Sequence, residues 1–123
     1  MNTTFKLLSV LALTTSASVL AGELTLSSND ITEGELMAKA QEFNGFGCTG
    51  DDLSPHLKWY NAPDGTKSFA ITAYDPDAPT GSGWWHWQIV NIPNNVTELV
   101  TGAGSATKSA KLKGSIQISN DFP

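Results

Sequence analysis

Arginine is missing from this chain: its seven basic residues are all lysines, set against twelve Asp and Glu, for a formal net charge of −5. With no planar guanidinium fork to grip phosphates and an acidic average surface, the sequence is poorly suited to nucleic acid or to an anionic membrane. Cysteine is reduced to Cys48. A catalytic thiol is disfavoured, since no histidine lies near it in a matching motif. No G-x-S-x-G elbow occurs, which argues against a hydrolase nucleophile of that type. Repeats, heptads and low-complexity runs are absent as well. Asp51-Asp52 lacks the alternating oxygen ligands and closing Glu of a calcium loop.

Long apolar runs are also missing, apart from a short one at the start. Met1–Ala21 has Lys6 in a polar head, an apolar stretch from Leu7 to Leu13, and small residues up to Ala21. That is the pattern of a cleavable secretory signal, too short to span a bilayer. The mature chain is then expected to begin near Gly22 and to reside in a bacterial periplasm or outside the cell. No integral membrane segment remains in it. Removing 21 of the 123 residues leaves 102 and a net charge of −6, enough for one domain and no more. Turn signals are dense, at Asn44-Gly45, Pro63-Asp64-Gly65 and Pro93-Asn94-Asn95, and the segments between them are short and alternating. This predicts an all-β sandwich.

What is present in abundance sits between Asp75 and Trp87: two carboxylates, two prolines, two glycines, three tryptophans and an imidazole in D-P-D-A-P-T-G-S-G-W-W-H-W. Ser68–Tyr74 alternates with period two and predicts a core strand packed on both sides. Pro76 and Pro79 lack the amide hydrogen that a ladder needs, so the chain should leave the sheet after Asp75. His86–Ile92 alternates again, with His86 expected to open a second strand and to share a face with Gln88 and Val90. Two strand ends joined by one loop bring Asp75, Asp77 and His86 together, with Trp84, Trp85 and Trp87 as apolar walls. A carboxylate beside an imidazole favours its charged form and turns the second N–H outward, toward an anion. The Thr80 and Ser82 hydroxyls and the turn amides are further candidate donors. The plainer alternative is that the two aspartates cap turns and His86 is a satisfied strand-end residue.

The same residues resemble the first signature of the phosphatidylethanolamine-binding protein family, in its bacterial Raf-kinase-inhibitor-like branch. The resemblance extends upstream through Phe46-Gly47-Cys48-Thr49-Gly50, Ser54–Trp59 and Ala62–Ser68, and it covers Leu24 to Pro93. It implies a Greek-key-like β-sandwich. It also implies that Asp75 and His86 line a pocket for a small anion or phosphorylated headgroup, with Asp77 and Pro79 shaping the loop; Trp85 of the tryptophan run is the aromatic residue expected at its wall. Neither cofactor nor metal is implied. A protein partner is, through family links to kinase and protease inhibition, although a kinase does not suit the periplasm. Cys48 resembles one half of a disulfide whose partner would lie in a C-P-P element; a buried free thiol is the other reading.

After Asn120-Asp121-Phe122-Pro123 the family pattern would continue into that element, a His-containing second signature, further strands and a C-terminal helix. Residues 22–123 are therefore expected to be the N-terminal part of the domain, as from a shortened or partial gene, with open strand edges, uncovered apolar faces and impaired function. Elsewhere, Leu24–Ser27 predicts the first strand, and the resemblance favours an extended Leu36–Ala40. His56, after Pro55 in a turn, is expected to be solvated, and Trp59 to be core. Asn61–Thr66 predicts a hairpin turn, and Thr101–Gly114 a mobile surface loop. Two other function classes stay open at this stage. One is a metal-dependent or acid/base hydrolase built on Asp75, Asp77 and His86. The other is a sugar or aromatic binder using the tryptophans.

Overall fold

Six strands alternate with turns in the computed structural model, which describes residues 22–105 and 112–122. The expected leader, Met1–Ala21, lies outside the described residues. The strands are β1 (Thr25–Ser27), β2 (Leu57–Tyr60), β3 (Ser68–Asp75), β4 (Trp84–Pro93), β5 (Glu98–Leu99) and β6 (Ile116–Gln117). They form two antiparallel three-stranded sheets, in the orders β1-β2-β5 and β3-β4-β6. The all-β prediction holds, and a single 3-10 turn at Lys39–Gln41 is the only helical element among the described residues. None of these residues forms a helix long and apolar enough to cross a membrane.

The alternation of β2 explains the core. Leu57 and Trp59 point inward and are buried with Leu99 from β5, against Ile89 and Ile92 of β4. The Trp59 ring meets the Phe69 ring of β3 edge-on, with centroids 5.3 Å apart, which locks one sheet onto the other. The turn after β2 does not close the expected hairpin. Both edges of β2 are occupied, by β1 and β5, so the chain must cross to the other layer, helped by the left-handed backbone of Asn61 and Gly65.

Strand β3 ends at Asp75, where the prolines require it. It is not packed on both sides, however. Phe69 and Ile71 pack against the core while Ala70, Thr72 and Tyr74 are exposed. Two layers bury one face of each sheet, and no third layer lies over the outer face among the described residues.

Strand β4 departs furthest from simple alternation. It begins at Trp84, two residues before His86, and it carries two bulges. Ala73 pairs with Trp87 and Tyr74 with Trp85, so His86 has no residue opposite. Farther along, Ile71 pairs with Ile89 and Phe69 with Ile92, so three steps on β4 match two on β3. Asn91, at φ 57°, takes up the second extra residue. Each bulge shifts the inward face by one position, and this is how Ile89 and Ile92 both reach the core.

Of the expected mobile loop Thr101–Gly114, residues 106–111 lie outside the described residues, and residues 101–105 and 112–114 are more firmly held than a mobile loop would be. Ala103 and Leu112 pack on the core. Ser54 binds the segment three times: its carbonyl accepts from the Gly102 N–H at 2.7 Å, its Oγ accepts from the Gly104 N–H at 2.8 Å, and its own N–H donates to Ser105 Oγ at 2.9 Å. Gly104 lies against the Trp87 indole, where any Cβ would collide with the ring. Residues 36–38 are irregular and lead into the 3-10 turn that begins at Lys39, and Leu36 is 100% exposed.

Candidate functional site

At the open end of the β3–β4 pair, the last residue of β3 faces the first of β4, Asp75 against Trp84. His86 is the diagonal neighbour on the bulge, and its Nε2 lies 3.9 Å from Asp75 Oδ2. This is ion-pair distance rather than a hydrogen bond, and both side chains are about half exposed, at 46% and 44%. Asp75 also serves the turn, since its Oδ1 accepts the Asp77 N–H at 2.9 Å. One carboxylate oxygen thus fixes the loop while the other faces the imidazole.

The loop is closed by two further bonds. Tyr74 donates its hydroxyl to the Ser82 carbonyl at 2.7 Å, and Thr80 donates its own to the Gly83 carbonyl at 2.6 Å. The Thr80 hydroxyl is therefore occupied as a donor. Gly83, at φ 73°, lies where a Cβ would strike the Tyr74 ring tip, so only glycine lets this turn close.

Residues 118–122 hold the bulge from the other side. Asp121 Oδ2 accepts the Trp85 N–H at 2.7 Å and the Asp121 N–H donates to the Trp85 carbonyl at 3.1 Å, while Asn120 Nδ2 donates to the His86 carbonyl at 2.7 Å. These contacts satisfy backbone groups that a bulge takes out of the ladder. They also seat Phe122 against the His86 ring, with centroids 5.3 Å apart, and against Trp84 at 5.4 Å and Phe43 at 4.4 Å. One wall of the site is thus aromatic. The Trp84 indole N–H is buried and has no hydrogen-bond partner among the described residues.

The structure brings together Asp75, His86 and the Asp77 backbone. Trp85 is partly exposed and packs on the Tyr74 ring at a tilt of 40°, with centroids 4.6 Å apart. Pro79 is exposed in the connecting loop. Trp87 turns the other way, packing on the core and donating its indole N–H to Gln117 Oε1 at 2.8 Å. Among the described residues no three His, Cys, Asp or Glu side chains gather as metal ligands, so the Asp75–Asp77–His86 set is not assembled as one. Cys48 is exposed rather than buried. A hydrogen bond from its thiol to Glu42 raises its pKa above the usual range.

A family profile described as phosphatidylethanolamine-binding protein matches residues 27–123. The chain belongs to the phosphatidylethanolamine-binding protein family. Among relatives, it is 50% identical over 105 residues to Escherichia coli YbcL, covering 85% of this chain and 57% of that protein. It is also 50% identical over 99 residues to E. coli YbhB, covering 80% and 62%. The crystal structure of YbcL, described as a new member of the mammalian family, superposes with a TM-score of 0.78 at 51% identity, over 82% of this chain and 62% of that one. A family homologue from Chlamydia trachomatis gives 0.63 at 25% identity, over 80% and 58%. The chain therefore spans about three-fifths of the length of these relatives. Within this family fold, the D-P-D-A-P turn and the G-W-W-H-W strand start form the two halves of the site just described.

His56 was expected to be solvated and is instead 7% exposed. Its Nδ1 accepts the Asn29 N–H at 3.1 Å, which leaves Nε2 to donate to Glu98 Oε1 at 3.0 Å. Its own N–H donates to Asp30 Oδ2 at 2.6 Å. His56 thus ties the segment after β1 to β5. Its bond to Glu98, with the charge of Lys58 second, lowers the Glu98 pKa. The Thr101 hydroxyl and the His56 N–H lower that of Asp30. This is a structural network, and its signal in the sequence, a histidine beside a proline, gave no hint of burial.

Proposed function

We propose that this chain is an exported binding protein that receives a small phosphate-type anion or phosphorylated headgroup between Asp75 and His86. The carrying observation is the 3.9 Å separation of Asp75 Oδ2 and His86 Nε2 at an exposed strand end. A charged imidazole donates to a phosphate oxygen, and a carboxylate beside it accepts from a phosphate hydroxyl, so a partly protonated phosphate satisfies both. Phe122, Trp84 and Trp85 form apolar flanks for whatever carries the phosphate. The chain's acidity opposes an anion, so weak affinity is expected. Export rests on the Met1–Ala21 pattern, and N-terminal sequencing of the secreted product should begin near Gly22.

The test is a titration of the purified chain with inorganic phosphate and with O-phosphoethanolamine, read by NMR at the histidine ring protons, with ethanolamine as control. His86 should shift saturably with the first two and His56 should not. A silent His86, or equal shifts in the Asp75→Asn and wild-type chains, overturns the reading.

A further inference from the structure

The two carboxylate oxygens of Asp75 have different partners. Oδ1 accepts the Asp77 N–H at 2.9 Å, which anchors the side chain to the turn, and Oδ2 is the oxygen that faces His86 Nε2, 3.9 Å away. Two oxygens of one tetrahedral anion span such a gap, one accepting from the imidazole and the other meeting Oδ2. An ionised carboxylate only accepts hydrogen bonds, so the anion oxygen that meets Oδ2 must bring a hydrogen of its own. The hydroxyls of Tyr74 and Thr80 do not relieve this demand, because their hydrogens go to the Ser82 and Gly83 carbonyls.

We propose that the site selects inorganic phosphate and phosphomonoesters and turns away phosphodiesters and sulfate, a selectivity that rests on the binding role proposed above for Asp75 and His86. A monoester with one negative charge has a P–OH to give to Asp75 Oδ2 and a bare oxygen to accept the His86 N–H. A diester carries the same charge but no hydroxyl. Sulfate has the shape of phosphate but no proton except in strong acid. Each of these two sets a bare oxygen against the carboxylate oxygen, a repulsive contact that the proton-bearing anion replaces with a charge-assisted hydrogen bond. The selection separates two sources of one headgroup chemistry. A free phosphorylated small molecule qualifies, whereas the headgroup of an intact glycerophospholipid, being a diester, does not. Both side chains are about half exposed, so water softens the penalty, and the preference expected is about tenfold rather than the roughly 10⁴-fold of a fully buried hydrogen-bonding site.

The experiment is an NMR titration of the wild-type and Asp75→Asn chains, read at the His86 ring protons at constant ionic strength. The pH is about 5.5, below the second pKa of a phosphomonoester at about 6. The ligands are paired to differ in the hydrogen: inorganic phosphate against sulfate, methyl phosphate against dimethyl phosphate, and O-phosphoethanolamine against glycerophosphoethanolamine. In the wild-type chain the first of each pair should bind about tenfold or more tighter than the second. In Asp75→Asn the Asp77 N–H keeps the amide oxygen on the turn, so the NH₂ group takes the place of Oδ2 as a donor and the preference should vanish. Circular dichroism confirms the fold of the variant. Equal affinities within the pairs in the wild-type chain, or a preference that survives in Asp75→Asn, overturns the selectivity and leaves an anion site standing. A His86 silent toward every ligand overturns the binding role itself, and the selectivity with it.

Discussion

Replacing Ile92 with Ala tests the register of β4 directly. Counting by twos from Ile89 puts Ile92 on the opposite, solvent-facing side. The extra residue at Asn91 brings it back, and Ile92 is 0% exposed in the core beside Ile89. Truncation to Ala removes three buried carbons, about 2.4 kcal/mol at ~0.8 kcal/mol each. The residual cavity among Leu57, Trp59 and Ile89 raises the expected loss to about 3–4 kcal/mol, within the range seen for buried Ile→Ala changes. Against a total of about 5–15 kcal/mol this is a large share, and for a domain of this size it lowers Tm by roughly 12 °C or more. Urea unfolding followed by tryptophan fluorescence should show a lower midpoint with an unchanged slope, and Ile89→Ala should cost a similar amount. Ile92→Val should cost only about 0.5–1.5 kcal/mol. A loss below about 1 kcal/mol for Ile92→Ala, beside a full loss for Ile89→Ala, would refute the bulge and restore plain alternation.

Three other outcomes are expected. Glu98 and Asp30 both have lowered pKa values, so their stabilising contribution is complete above their ordinary values of 4.5 and 3.8 and drains away as pH falls through the folded-state values. The stability gap between wild type and Glu98→Gln should accordingly be widest near neutrality and close in acid, as measured by urea melts along a pH series. Cys48 is exposed but held as a thiol by Glu42, so Glu42→Gln should speed its alkylation by iodoacetamide, and an unchanged rate would remove the Glu42 bond from the account. Asp121→Ala removes the acceptor for the Trp85 N–H and should cost about 1–2 kcal/mol in urea melts, while shifting the His86 ring resonances as Phe122 loosens.

The strand starts and stops were open to reading because they are local. Prolines end β3 at Asp75, and alternation marks β2 and β3. The proximity of Asp75 and His86 was legible in a thirteen-residue run, since two strand ends joined by a short loop must lie close together. Burial of His56 was hidden because its partners, Asn29 and Glu98, come from distant segments. The role of residues 120–122 was hidden for the same reason, being fixed by bonds to backbone atoms of Trp85 and His86 rather than by any sequence signature.

The amino-acid sequence by itself determined the all-β class, the family, the place where the chain leaves β3, and the acid and imidazole brought together there, because each follows from short-range geometry or from a contiguous motif. Tertiary structure alone decided which face of β4 turns inward at each position, that the turn after β2 crosses between layers, that His56 is buried rather than solvated, and that Cys48 is exposed. Those outcomes depend on which edges and faces are already occupied when distant segments meet, and no window of neighbouring residues carries that information.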